Sequence, residues 1–278
     1  MGFDVLLVAD HLDESFPPLA TLCTAAEATE HLRVGTFVVN NDFRHPVLLA
    51  RDAATVDLLT DGRLELGLGA GHMKAEYDAA GLRFDPPALR VARLGESVQI
   101  VRDLLAGDTV TFTGEHYTVR GHRVYPRPTQ AHVPMLVGGN GKRVLALAAQ
   151  FADIVGFTGF SQVEGERGVR LTHFTSEGLS RQVEHVRAAA GDRFDTLELN
   201  ALVQQVATTN NPRGAMEGFI GALDYNVDDA LDSPFLLAGT HNEMAEALRQ
   251  RRERFGLSYF VVFEQAMDDF APVIHRLR

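Results

Sequence analysis

The segment Asp61-Gly-Arg-Leu-Glu-Leu-Gly-Leu-Gly-Ala-Gly71 has the residue alternation of a buried β-strand. In an extended chain its three leucines lie on one face, while Gly67 and Gly69 lie on the other. We expect the leucines to pack against helices outside a sheet. The glycines allow two interpretations, because they can leave room for a flat ring inside a barrel or relieve crowding at a bulge.

Six further apolar runs of strand length lie along the chain, and longer helical patterns separate them. These runs are Asp4–Ala9, Leu32–Val39, Pro134–Val137, Asp153–Phe157, Leu197–Ala207 and Tyr259–Phe263. Strands that alternate with helices predict an α/β fold with a parallel sheet, and we expect residues 1–278 to form a single domain. Seven strands leave the architecture open, because a closed (β/α)₈ barrel needs eight and an open doubly wound sheet accepts seven.

Two helices have clear signals in the sequence. Apolar residues recur at helical spacing over Leu94–Leu105. A capping box, Thr240-His-Asn-Glu243, opens a second helix, and Gly256 ends it. Two irregular stretches, near Gly107–Pro134 and Gly159–Ser180, are expected to form functional loops, because long loops in α/β barrels often act as lids.

The composition argues against several functional classes. The chain has 278 residues, a formal net charge of −11 and an isoelectric point near 5.4. This charge argues against a nucleic-acid or membrane-surface partner, since both need a basic face. Cys23 is the only cysteine, so we expect neither a disulfide framework nor a cysteine-based zinc site, and we predict no metal ligands. Met1 is followed almost at once by a core-like strand, which predicts a cytoplasmic protein without a signal peptide.

Polar residues follow the first two strands of the predicted sheet directly. Asp10-His11 follows the first run, and Asn40-Asn-Asp-Phe-Arg-His-Pro46 follows the second. At the C-terminal ends of barrel strands, such residues predict catalytic or binding groups. Turns alone account for most of them, since an aspartate can cap a turn and a proline can begin the next helix. Arg44 and His45 are the residues that a turn does not require.

A glycine-rich turn, Val137-Gly-Gly-Asn-Gly-Lys-Arg143, joins a predicted strand to a helix that begins near Lys142. Backbone amides at such a turn, together with the helix dipole, can bind an anion. The spacing is not that of a P-loop, and the chain has neither a G-x-S-x-G elbow nor an H-E-x-x-H zinc helix. The turn therefore predicts either a phosphate site or a tight connection between strand and helix.

Together these motifs resemble the luciferase-like monooxygenase superfamily, and in particular its branch that uses the deazaflavin coenzyme F420. The resemblance rests on segments in the superfamily's order and spacing, and it extends over nearly the whole chain. They are Gly2–His11, Val34–Pro46, Asp61–Gly71 with Glu76-Tyr77, Pro134–Gly141 with Ala152-Asp153, and Gly239–Phe263. The resemblance implies a (β/α)₈ TIM barrel of the bacterial luciferase type. We expect the first β/α unit to be absent from this chain, which begins at the Gly-Phe-Asp turn.

The same resemblance implies a site at the mouth of the barrel. His11 matches the active-site histidine of the family, and a non-prolyl cis peptide is expected between Phe37 and Val38, in a bulge behind the coenzyme ring. Some deazaflavin dehydrogenases have an acidic residue just past the fourth strand, where this chain has His72, and that departure leaves the substrate and the proton donor open. The residues expected to bind the coenzyme are Asp10, Phe37, Val38, Asn40, Gly69, His72, Gly138, Gly139, Asn140 and Gly141.

The function implied by the resemblance is an oxidoreductase that transfers hydride between F420 and a small organic substrate. His11 would act as an acid, a base or a hydrogen-bond partner of the reacting centre. An FMN-dependent monooxygenase that uses molecular oxygen is one alternative, and a non-catalytic flavin-binding barrel is another. The exposed helices of such barrels also allow a homodimer.

Overall fold

The computed structural model describes residues 1–12, 15–162, 169–221 and 225–278. The chain divides into two compact units. The first unit comprises Asp4–Gly138 and Gln150–Ile154, and the second comprises Met1–Phe3, Gly139–Ala149 and Val155–Arg278. Each unit contains both strands and helices.

The first unit is built around a parallel sheet in the order β1-β2-β4-β7, with β3 continuing beyond β2 to pair with β4. A separate antiparallel hairpin is formed by β5 and β6. The strands are β1 (Val5–Val8), β2 (Arg33–Thr36), β3 (Val39–Asn40), β4 (Leu64–Gly69), β5 (Val110–Thr113), β6 (Thr118–His122) and β7 (Met135–Gly138). The helices are α1 (Pro18–Glu27), α2 (Pro46–Leu59), α3 (Lys74–Ala80) and α4 (Pro87–Leu105).

The core of the first unit confirms the apolar patterns of the sequence. All three leucines of β4 are fully buried, as is the apolar face of α4 at Leu94, Val98 and Val101. By contrast, the four residues of β1 are only half-buried, because β1 is an edge strand whose one partner among the described strands is β2. Burial of an apolar run therefore depends on its place in the sheet as well as on its sequence.

The second unit contains most of α5 and β8 and the whole C-terminal half of the chain. Its parallel strand pairs are β11 with β14 and β12 with β13, and β9 and β10 form an antiparallel hairpin. The strands are β8 (Ile154–Phe157), β9 (Phe160–Gln162), β10 (Val169–Leu171), β11 (Glu198–Val203), β12 (Gln205–Thr208), β13 (Leu236–Gly239) and β14 (Leu257–Val262). The helices are α5 (Lys142–Phe151), α6 (Ser176–Ala190), α7 (Pro212–Ile220), α8 (Val227–Asp232), α9 (His241–Phe255) and α10 (Met267–Leu277).

A hydrophobic core between strands and the last two helices holds the second unit together. Met244 and Leu248 of α9 pack with Phe270 and Val273 of α10, and Phe3 at the start of the chain stacks on Phe270. The predicted capping box of α9 is present, with both of its reciprocal hydrogen bonds formed between Thr240 and Glu243, and the helix ends at the left-handed Gly256. None of the helices within the described ranges combines the length and apolar character needed to span a bilayer.

The structure corrects three details of the sequence interpretation. The run Leu197–Ala207 forms two strands, β11 and β12, each with its own partner. The strand β13 was missed, because it is only four residues long and directly precedes a helix. The two stretches expected to be irregular contain the hairpins β5–β6 and β9–β10, although residues 163–168 of the second stretch lie outside the described part.

Candidate active site

The second predicted strand is interrupted close to its C-terminal end. β2 ends at Thr36, β3 begins at Val39, and the peptide bond between Phe37 and Val38 is cis, as the resemblance implied. The hydroxyl of Thr36 donates to the carbonyl of Gly67 and accepts from its amide, both at 2.8 Å. This hydroxyl maintains the link between β2 and β4 at the interruption. Phe37 and Val38 are left half-buried in a bulge at the strand end.

This bulge explains the two glycines of β4. A Cβ at Gly67 would lie 2.0 Å from the backbone oxygen of Thr36, and a Cβ at Gly69 would lie 2.5 Å from Cγ2 of Val38. The glycines therefore make room for the bulge, in agreement with the crowding interpretation. The space beside Gly69 that the other interpretation gave to a ring is filled by Val38.

Asp10 connects the ends of β1 and β3. Its buried carboxylate accepts from Nη1 of Arg44 at 2.6 Å and from the backbone amide of Asn40 at 3.0 Å. The side-chain oxygen of Asn40 accepts in turn from the hydroxyl of Tyr77 at 2.9 Å and from the amide of Asp42 at 3.1 Å. The ion pair accounts for Arg44, and the polar groups of Asp10 and Asn40 are engaged in shaping the loop after β3.

His11 follows β1, and its side chain is partly exposed. Its Nδ1 atom lies 2.8 Å from Oε1 of Glu76, a nearly buried residue in the first turn of α3. The two residues are 65 positions apart in the chain. The sequence motif included Glu76 but gave it no role, because a contact over that separation leaves no local signal.

A second histidine lies beside His11. The ring of His72 meets that of His11 edge to face, with centroids 5.6 Å apart and planes at 82°. Desolvation, followed by the charges of His11 and Arg90, lowers the pKa of His72 to about 4. His72 is therefore uncharged at neutral pH, although part of its surface is exposed. Arg90 also fixes the loop before His72 by donating to the carbonyls of Ala70 and Gly71.

The glycine-rich turn begins where β7 ends at Gly138, and from Gly139 onward it belongs to the second unit. The amide of Gly139 donates to the carbonyl of Gly156 at 3.0 Å. At Gly141, directly before α5, a Cβ would meet no atom of the described residues within 4 Å. The outer side of the turn is therefore open next to the first amides of α5, which have no partner within the helix.

The side chain of Asn140 is engaged within the second unit. Its Nδ2 donates to the hydroxyl of Thr158 at 2.7 Å and to the carbonyl of Phe160, and its Oδ1 accepts from the amide of Gly159 at 3.3 Å. Its carbonyl accepts from Nε2 of Gln182 at 3.0 Å. These hydrogen bonds stabilise the connection between β8 and β9, so the side chain of Asn140 has mainly a structural role.

A cavity of about 340 Å³ lies in the first unit near these groups. Arg93 bridges Asp42 and Asp85 there, at 2.8 and 3.0 Å. The lining residues are Asp42, Tyr77, Leu82, Arg83, Asp85, Arg93 and Tyr117. None of them is among the site residues predicted from the sequence, and the charged groups of the cavity already neutralise one another.

The family model of luciferase-like monooxygenases matches residues 1–190. The chain belongs to the luciferase-like monooxygenase family. Two family relatives are named F420-dependent glucose-6-phosphate dehydrogenases. The protein from Microbacterium testaceum is 35% identical over 161 residues, which are 55% of this chain and 47% of the relative. The protein from Rhodococcus erythropolis is 31% identical over 227 residues, which are 78% of this chain and 64% of the relative. The chain thus spans about half the length of the first of these relatives.

Three solved structures have a similar fold. An F420-dependent secondary alcohol dehydrogenase matches with a TM-score of 0.78 and 20% identity, over 100% of this chain and 91% of its own. A coenzyme F420-dependent tetrahydromethanopterin reductase from Methanopyrus kandleri has a TM-score of 0.77 and 18% identity, over 99% of this chain and 92% of its own. A long-chain alkane monooxygenase has a TM-score of 0.74 and 17% identity, over 99% of this chain and 80% of its own. The predicted α/β fold of the luciferase-like barrels is confirmed.

Proposed function

We propose that this protein is an oxidoreductase that transfers hydride between the deazaflavin coenzyme F420 and a small organic substrate. The observation that carries the proposal is a grouping of three features. A carboxylate-paired histidine, a half-buried bulge and an uncharged second histidine follow the parallel strands β1, β2 and β4 of the first unit. The C-terminal ends of such strands are where barrel enzymes place their reacting groups. The names of the two curated relatives favour F420 as the coenzyme.

The first unit fits the flat ring of such a coenzyme. Phe37 and Val38 are half-buried and offer an apolar surface at the strand end. When bound, the coenzyme supplies the carbon that gives or accepts hydride. His11 holds or releases the proton of the substrate. Asp10 and Asn40 support the ring through the loop that they shape.

We propose the glycine-rich turn as the binding site for the phosphate of the coenzyme. The open side of the turn at Gly141 adjoins the N-terminus of α5, where unpaired amides and the helix dipole favour an anion. Lys142 and Arg143 are exposed in the first turn of that helix. They add positive charge on a chain whose net charge is −11. Gly138, Gly139 and Asn140 keep the turn in shape.

Titration of the purified protein with F420 and with FMN, followed by fluorescence, tests the coenzyme assignment. We expect tighter binding of F420. In steady-state assays with F420, we expect His11→Ala to lower kcat about 10²–10⁴-fold while the Kd of F420 stays within about twofold. A variant with unchanged kinetics and a lower melting temperature would make His11 a structural residue instead.

Two other experimental results would each indicate a different function. Tighter binding of FMN, with substrate oxygenation that consumes molecular oxygen, would place the protein among the monooxygenases of the family. Binding of either coenzyme without turnover of any acceptor would indicate a non-catalytic flavin-binding protein. We also propose that the substrate is a small molecule, that the protein is cytoplasmic and that it forms a homodimer.

A further inference from the structure

We propose that Glu76 is a positioning residue for His11. It fixes the ring hydrogen of His11 on Nδ1, which leaves Nε2 to exchange the proton of the substrate. The inference rests on the proposed function, in which His11 is the acid–base group. It assigns to Glu76 a role that neither the family resemblance nor the sequence pattern gave it.

The burial of Glu76 is the first argument. Its side chain is 8% exposed, and a carboxylate in such surroundings is costly unless it has a hydrogen-bond partner. Among the residues that the structure describes, its side chain has one polar partner, Nδ1 of His11 at 2.8 Å. The backbone of Glu76 is fixed as well, because its amide donates to the carbonyl of Met73 at 3.0 Å.

The direction of this hydrogen bond determines the form of the histidine. An ionised carboxylate only accepts, so Nδ1 of His11 must carry the hydrogen. In the uncharged ring Nε2 then has a free lone pair, and it can accept a proton. Without Glu76, the hydrogen could reside on either nitrogen.

The described charged groups nearest to His11, apart from Glu76, are engaged with other partners or uncharged. Asp10 precedes His11 in the chain, but its carboxylate is paired with Arg44 at 2.6 Å. His72 is uncharged at neutral pH, and the guanidinium of Arg90 is bound to the loop carbonyls before it. Among the residues that the structure describes, a positive charge that forms on His11 therefore meets one available carboxylate, that of Glu76.

The proton step is simplest for a substrate that is oxidised at a carbon bearing a hydroxyl group. The O–H bond breaks and its proton moves to Nε2 of His11. The C–H bond breaks and its electron pair leaves with the hydrogen as hydride for the coenzyme, so that a carbonyl forms. The resulting imidazolium is stabilised by Glu76, and in the reverse reaction it returns the proton.

Nitrogen-15 NMR of histidine-labelled protein, without coenzyme, tests the positioning role directly. The His11 signals are assigned by their loss in His11→Ala. We expect protonated Nδ1 and unprotonated Nε2 in the uncharged ring of the wild type. In Glu76→Ala we expect the hydrogen to move predominantly to Nε2. If that variant does not fold, Glu76→Gln keeps the shape of the side chain and should show both forms, because an amide can donate as well as accept.

Kinetics with F420 supply the second measurement. We expect Glu76→Gln to lower kcat about tenfold or more, as part of the 10²–10⁴-fold contribution of general acid–base catalysis, and to shift the pH profile of kcat/KM. The KM and the Kd of F420 should change less than about twofold. In the His11→Ala background the same substitution should have almost no further effect on kcat, because Glu76 acts through His11.

Asp78→Asn is the matched control, since Asp78 lies on the same short helix but is exposed and pairs with Lys74. It should match the wild type in both measurements. Unprotonated Nδ1 in the wild type, an unchanged tautomer in Glu76→Ala, or additive kinetic losses would overturn the inference. Failure of the proposed function is a different result, namely no F420 turnover by the wild type, and the NMR measurement then decides the role of Glu76 alone.

Discussion

The side chain of Val38 occupies the space into which a side chain at Gly69 would project. The distance from Cγ2 of Val38 to the position of a Cβ on Gly69 would be 2.5 Å. This is well inside contact distance, so a side chain at position 69 would require Val38 or β4 to shift. The bulge at Phe37 and Val38 therefore requires a glycine at position 69.

Gly69→Ala should destabilise the protein by about 1–3 kcal/mol, the cost of adding a methyl group to a filled space. Urea unfolding measures the change. Gly218→Ala in α7 is the control, because a Cβ there would meet no atom within 4 Å in the part of the chain that the structure describes. Val38→Ala should recover part of the loss when combined with Gly69→Ala. Unfolding free energies that match for Gly69→Ala and the wild type would contradict this account of the glycine.

Asp10→Asn should destabilise the protein by about 2–3 kcal/mol. Removing one partner of a buried ion pair leaves the other without compensation, at a cost of about 3–5 kcal/mol when both are buried. Arg44 is 24% exposed, which reduces the cost. Asp78→Asn breaks an exposed pair and should change stability by less than about 1 kcal/mol. Equal losses from the two substitutions in denaturant unfolding would refute the structural role of Asp10.

The His72 ring should remain uncharged down to about pH 5. Its pKa in the folded protein is about 4, below the ordinary value of 6.5. Proton binding therefore favours the unfolded chain, so the contribution of His72 to stability is constant above pH 6.5 and falls as the pH drops from 6.5 towards 4. NMR titration of the His72 ring protons should show movement only at the acidic end. His72→Gln should flatten that part of the stability curve, and a His72 midpoint near 6.5 would rule out the effect.

Charge at the start of α5 should strengthen coenzyme binding. Lys142→Ala combined with Arg143→Ala should weaken the binding of F420 several-fold at low salt and less at high salt, because exposed charges are screened. Arg249→Ala combined with Arg252→Ala removes the same charge from α9, far along the chain, and serves as the control. An F420 affinity independent of salt in the wild type would argue against an anion site at this turn.

Elements with strong local signals could be predicted from the sequence. The leucines of β4 and the apolar face of α4 are buried as their spacing indicated, since that spacing is set by the geometry of strand and helix. The capping box at Thr240 is also a local feature, and it is present. The turn residues Arg44 and Asp10 were noticed, but their pairing joins positions 34 apart and has no local pattern.

The features that the sequence did not reveal depend on contacts between distant segments. The residue pattern around Thr36 does not mark the break between β2 and β3, which we expected from the family resemblance alone. Gly67 and Gly69 could be found but not explained, because their neighbours are Thr36 and Val38 of another strand. For the same reason Glu76 was recognised as part of a motif without its partner, His11.

The hydroxyl of Thr36 has a consequence for how this region can change in evolution. It both donates to and accepts from Gly67, so a single side-chain oxygen serves two backbone groups of a neighbouring strand. Serine preserves both roles, whereas valine has the same shape and preserves neither. Position 36 therefore tolerates a change of size better than a change of polarity, the reverse of what holds at most positions in an apolar core.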